Sequence, residues 1–196
     1  MLFPETSSGV VVLTNSMALN DNADCIGELL APELLGLNES NENEYIRLAQ
    51  KSAQNAVILY NNMLADLELS RRKDHLPSLP PHYYVGTYIN KTGTFPIEID
   101  RLTDETGRAG GNDVRLQVSF QGRASQSYTF EHHAGDIFSW AMPFNAQIRR
   151  SRFIETNGLH YLIWFVVDSI VHKITSLVWV MDPEDPDGET FNKLEE

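Results

Sequence analysis

The chain has 196 residues, 42% of them hydrophobic, and its 15 basic and 27 acidic side chains give a formal charge of −12. That length holds one domain, or one domain with a helical extension, and the acidic balance argues against a partner with a phosphate backbone. No apolar run approaches the roughly 20 residues of a membrane span, so neither nucleic acid nor membrane is an expected partner.

The N-terminus, MLFPETSSG, has no basic stretch followed by an apolar one, and the single Cys25 excludes an internal disulfide framework. Both point to a cytosolic protein. The next stretch, SSGVVVLTN at 7–15, reads as a strand buried on both faces, written for the middle of a larger sheet. Residues 22–30 place Ile26, Leu29 and Leu30 on one helical face, and Pro32 is expected to interrupt it. Asn41 with Glu44 matches a capping box ahead of a long amphipathic helix. Its stripe runs through Tyr45, Ala49, Ala53, Ala56, Tyr60, Met63 and Leu67 at steps of three and four. Arg71, Arg72 and Lys73 follow, where cations suit the negative pole of a helix. LPSLPP at 76–81 is a stiff, extended segment, and it sets the predicted organisation: a strand and helical arm over 1–76, then a linker over 77–82.

Past the linker the period changes to two. Strands are predicted at 83–90, 95–100, 114–120, 127–133, 136–142, 152–156, 160–168 and 174–181, punctuated at Gly93, Gly107 to Gly111, Gly122, Gly135 and Asn157-Gly158. No helical pattern interrupts them. A meander of eight short strands closes economically into a barrel, because closure leaves no edge, and eight strands enclose room for side chains or one small ligand. The fold class is therefore α+β: an eight-stranded antiparallel β-barrel over 83–181 with an N-terminal helical arm. Residues 182–196 hold seven carboxylates against Lys193 and read as a solvated, partly disordered tail. DPEDPDG within it fails as a calcium loop, since counting from Asp182 puts Pro186 at position five and Asp187 at six.

The order SSGVVVLTN, a helix carrying DCIGELL, a long helix, a proline linker and then HYYVGTYIN resembles the C-terminal part of a fungal family related to serine β-lactamases and penicillin-binding proteins. By that resemblance, SGVVVLTN is similar to the last strand of the hydrolase sheet, and the segment from Tyr83 onward looks like the lipocalin-like barrel appended to those enzymes. The hydrolase body is absent. Its apolar strand would then need a partner, which makes a homodimer through the N-terminal strand and helices an expectation.

Three strings mimic the hydrolase motifs SxxK, YxN and KTG: Ser70-Arg71-Arg72-Lys73, Tyr88-Ile89-Asn90 and Lys91-Thr92-Gly93. Their placement excludes that chemistry. Ser70 ends a polar helix, and the other two strings abut over 88–93, too close to wall a cleft.

The remaining candidates belong to the barrel. Tyr84, Gly86 and Tyr88 share one face of the first strand, and Phe138 shares a face with Trp140. Tyr84, Phe138, Trp140, Tyr161, Trp164 and Trp179 are the candidate substrate-binding residues, although filling a core is the commoner use of aromatics. Glu131 and His133 share a face; a carboxylate beside an imidazole holds a proton near neutral pH. With Tyr88 as a donor to a developing oxyanion, Glu131 and His133 form the candidate catalytic set. His132 and His133 point to opposite faces, and no HExxH or His-x-His spacing occurs, so neither a metal nor another cofactor is expected.

Two functions follow. One is a cofactor-free cyclase or isomerase of secondary metabolism that folds an apolar polyketide- or terpenoid-like molecule within an aromatic cavity. The other is a non-catalytic module that binds a ligand or a protein. A barrel plugged by its own aromatics favours the second, and an open cavity with titratable groups favours the first.

Overall fold

The computed structural model describes residues 1–14, 22–37, 42–102, 115–150, 152, 154–182 and 184–195. These divide into two compact units, Met1–Asn62 with Pro143–Thr156, and Met63–Met142 with Asn157–Glu196. The division falls inside a helix rather than at the proline segment.

The first unit opens with a two-stranded ladder of β1 (Leu2–Phe3) and β2 (Ser8–Gly9). Val10 exchanges backbone hydrogen bonds with Met1 at its end. Residues 10–14 form no strand, and Val11 and Leu13 are 79% and 90% exposed. The doubly buried strand expected here is therefore not formed. Apolar composition alone does not make a strand; it needs neighbours to complete its ladder, and among the described residues β2 pairs only with the short β1.

Helix α1 (Asn22–Leu34) carries Pro32 inside its last turn without ending there. It stops two residues later at Leu34; beyond it Gly36 takes φ +66° and the Leu37 N–H donates to the Pro32 carbonyl, the bond pattern of a glycine-terminated helix. Helix α2 (Glu42–Ser70) buries the stripe read from its sequence, with Tyr60 and Met63 most enclosed. Asn41, the expected cap, lies outside the described residues, as do Gly107 to Gly111 and Val114. Tyr60 meets Phe144 edge-on at 5.5 Å. Phe144 belongs to a short helix, α3 (Phe144–Arg149), absent from the sequence reading. Its start is set by Pro143, which supplies a fixed φ and needs no N–H partner.

The second unit is a closed barrel in which each strand pairs antiparallel with the next. Its strands are β3 (Gly86–Asn90), β4 (Pro96–Arg101), β5 (Leu116–Phe120), β6 (Ser127–Ala134), β7 (Ile137–Ser139), β8 (Leu162–Asp168), β9 (Lys173–Trp179) and β10 (Glu189–Lys193). This is the lipocalin-like, up-and-down architecture. The count of eight matches the expectation with a different membership. Residues 152 and 154–156 form no strand, while Glu189–Lys193, expected to be solvated, pairs with both β9 and β3. ETFNK alternates, and Phe191 is fully buried while Thr190 and Asn192 are exposed. Without it β3 and β9 would each present an unpaired edge.

The hairpin turns explain the KTG string. In the KTG string, Gly93 takes φ +70°, and the Asn90 side-chain oxygen accepts from the Thr94 and Phe95 N–H groups. It is the tip of the β3–β4 hairpin. Gln121 and Gly122 both take positive φ just after β5, where the Arg123 N–H closes a tight turn on the Phe120 carbonyl, the backbone sense of a type I′ turn. The proline segment is docked rather than free: the Arg72 and Gly135 N–H groups donate to the His133 and His75 carbonyls, and Ser78 binds Asp136.

Candidate functional site

Alternation along each strand sends one set of side chains into the barrel, and that set is aromatic at both ends. Around the last residues of β9, Trp179 stacks on Phe120 at 4.7 Å and donates its Nε1–H to the His160 carbonyl at 2.7 Å. Trp140 joins them, with ring centroids 5.0 Å from Tyr128 and 4.8 Å from Tyr161. Toward the other end, Tyr84 lies 5.1 Å from Phe138 and 4.9 Å from Phe165, and Phe130 lies 5.1 Å from Phe138. Five of the six candidate binding aromatics thus meet inside, packed against one another. Trp164 does not: it is only half-buried, and its neighbours Ile163 and Phe165 take the buried positions of β8.

The candidate donor Tyr88 is also inside and fully buried, its hydroxyl donating to the Tyr84 carbonyl at 2.7 Å. Burial raises the Tyr88 pKa strongly, and the neighbouring Tyr84 adds to it. Tyr84 is held likewise: desolvation first, then its hydrogen bond to Asp136, raise its pKa well above the usual phenol range. Asp136 collects three donors, the Ser78 N–H at 2.9 Å, the Ser78 hydroxyl at 2.6 Å and the Tyr84 hydroxyl. Burial opposes its ionisation, but these bonds outweigh it and lower its pKa.

Glu131 and His133 do share a face, the outer one, yet they do not pair. Arg71 bonds Glu131 at 3.0 Å and Glu68 at 3.0 Å. His133 is the extra residue of a bulge between β6 and β7 and is only 5% exposed beneath the end of α2. Its Nε2 lies 3.4 Å from the Ser70 hydroxyl, which itself donates to the Leu67 carbonyl. Its Nδ1 meets no partner among the described residues. Desolvation lowers the His133 pKa, and the Arg71 and His132 charges push the same way. A serine–histidine pair with no carboxylate on Nδ1 lacks the group that would orient it as a base. Tyr88 faces the interior, so the three candidate catalytic residues do not converge on one site. His132 turns inward against Phe138, away from His133, and no cluster of three metal-ligating side chains occurs among the described residues.

A concavity of ligand size in the barrel unit lies elsewhere, at the end where β9 begins and β10 finishes. A groove of about 870 Å³ is lined by His82, Tyr83, Val85, Gly86, Val171, Lys173, Ile174, Thr175, Lys193, Leu194 and Glu195. The Lys193 ammonium donates to the Tyr83 carbonyl at 2.7 Å and lies 5.6 Å from the centre of the Tyr88 ring. Gly86 makes this crossing feasible: a Cβ there would come within 2.7 Å of Lys193 Cε, and its φ of +142° suits glycine. A smaller concavity of about 430 Å³ lies between Lys91 and the acidic loop of Asp182 and Asp185.

None of the groove's residues apart from Gly86 was marked by the sequence. Lys193 shares the face of Phe191, but five residues in an acidic tail are a faint strand signal. Asp136 was read only as the first residue of the strand predicted over 136–142, after Gly135. No helix among the described residues is long and apolar enough to cross a membrane. Comparison with known proteins returns no match to any family model, curated protein or solved structure.

Proposed function

We propose that this chain is a small-molecule-binding barrel that works as a binding module, with its ligand seated in the groove at the β9–β10 end rather than between the inner aromatics. The observation that carries the proposal is the groove itself: ligand-sized, walled by Tyr83, Val85, Val171 and Leu194, and provided with a few polar groups. A binding role is favoured over cyclisation because a folded substrate needs an enclosed space beside its acid and base. Here Tyr88 is packed inside, while Glu131 is engaged by Arg71 on the outer face. The proposed kinship with accessory barrels of serine hydrolases is supported by the order of helices, proline segment and barrel, and not by residues 10–14.

The test is titration of the whole chain with short-chain amphiphiles, read by calorimetry and native mass. Saturable binding that is lost in Val171→Glu and retained in Ile170→Glu supports the groove. The two side chains are neighbours on one exposed turn, and only Val171 lines it. Binding that ignores both changes, or no binding, overturns the proposal.

A further inference from the structure

We infer that the groove selects an anionic amphiphile, with a carboxylate-type head at Lys193 and an alkyl or aryl body along Tyr83, Val85, Val171 and Leu194. This deepens the proposed binding role and rests on it. The first argument is charge: in a chain of formal charge −12, the described lining of this groove sets two lysines, Lys173 and Lys193, against one carboxylate, Glu195. A cationic lining on an acidic protein raises the local concentration of anions where the rest of the surface repels them.

The second argument is position. Lys193 Nζ is held at the groove by the Tyr83 carbonyl, with its stem over Gly86. An arriving carboxylate meets an ammonium already placed, so little side-chain entropy remains to be lost. The third is the shape of the apolar wall. Tyr83, Val171 and Leu194 are 39%, 55% and 48% exposed, and an alkyl chain lying on them would remove that surface from water. Lys173, which stands at the same end of β9, supplies a second cation that widens the anion's choice of position.

The experiment compares decanoate, decanol and decylammonium below their micelle concentrations, on the full chain and on Lys193→Met, whose stem keeps the contact over Gly86. Decanoate binds the parent chain about tenfold tighter than decanol, as a charge-assisted hydrogen bond predicts, and decylammonium binds weakest. Lys193→Met loses that factor for decanoate and leaves decanol within about twofold. Equal affinity for decanoate and decanol, or equal weakening of both in the variant, overturns the anion assignment while the groove survives as a binding site. Failure of all three to bind removes the groove reading itself. Thermal unfolding of Lys193→Met beside the parent identifies a folding defect, and the order of the three ligands on the parent chain tests the inference independently of the variant.

Discussion

The two ends of the barrel are built from the same alternating strands and both are filled with rings inside, yet a groove opens beside only one of the two ring clusters described. At the β9 C-terminal end, Trp179, Phe120, Trp140 and Tyr161 close over one another. At the other end Gly86 leaves a gap that the flexible Lys193 crosses, and a groove opens beside it. The difference teaches where function can reside in a filled barrel. Rigid rings that meet ring to ring leave no partner face for a ligand, whereas a glycine and a lysine leave both space and a charge.

The sharpest way to break the contrast is to unseal the aromatic end. Trp179→Ala removes a stacked ring and an indole donor together, and it should cost about 3–5 kcal/mol in urea unfolding. The groove, at the far end of β9, should bind as before in whatever fraction remains folded. Retention of full stability would mean that the rings at this end do not form a packed seal.

Tyr84 bridges the packed interior and the docked proline segment, so Tyr84→Phe should have the next largest effect. It deletes a hydrogen bond to the charged Asp136, an expected loss of about 1.5–3 kcal/mol. Asp136 also sets an acid limit. Its pKa is lowered from 3.8, so its contribution is fully present above pH 3.8 and is lost as pH falls through the lower folded value. In Asp136→Asn that part of the acid decline should be absent from unfolding curves.

His133 should act in a higher window with a smaller effect. Its pKa is lowered from 6.5. Above that pH both folded and unfolded forms are neutral and it contributes nothing to the pH dependence. As pH falls below 6.5 the unfolded chain takes up a proton that the folded chain resists, and stability declines toward the folded value. Comparing His133→Gln with the parent between pH 7.5 and 5 should flatten this decline, and an unchanged slope would place the imidazole in water. The smallest effect belongs to Ile170→Glu: at 88% exposure it should move stability by no more than about 0.5 kcal/mol, which makes it the proper control for Val171→Glu.

Much of the architecture was legible in the residues. The period-two stretches located seven of the eight strands to within a few residues, because alternation reflects which side chains a sheet can bury. The α2 stripe was legible for the same reason at a different period. What failed were features whose meaning depends on a distant neighbour. Val10 to Leu13 looked buried, but no strand pairs with them among the described residues; ETFNK looked solvated, but two strand edges awaited it. The site was less legible still. Glu131 and His133 do share a face, yet their partners, Arg71 and Ser70, come from more than fifty residues away.

The sequence by itself determined the alternating strands, their turns, the amphipathic helix and the aromatic content of the interior, because these follow from local periodicity and backbone preference. Only the tertiary structure decided that the acidic tail closes the barrel and that Asp136 anchors the proline segment through Ser78 and Tyr84. It also decided that Lys193 crosses Gly86 beside a groove. Each of these is a meeting of groups far apart in the chain, and the balance of burial, charge and unpaired backbone that fixes it exists only once the barrel has closed.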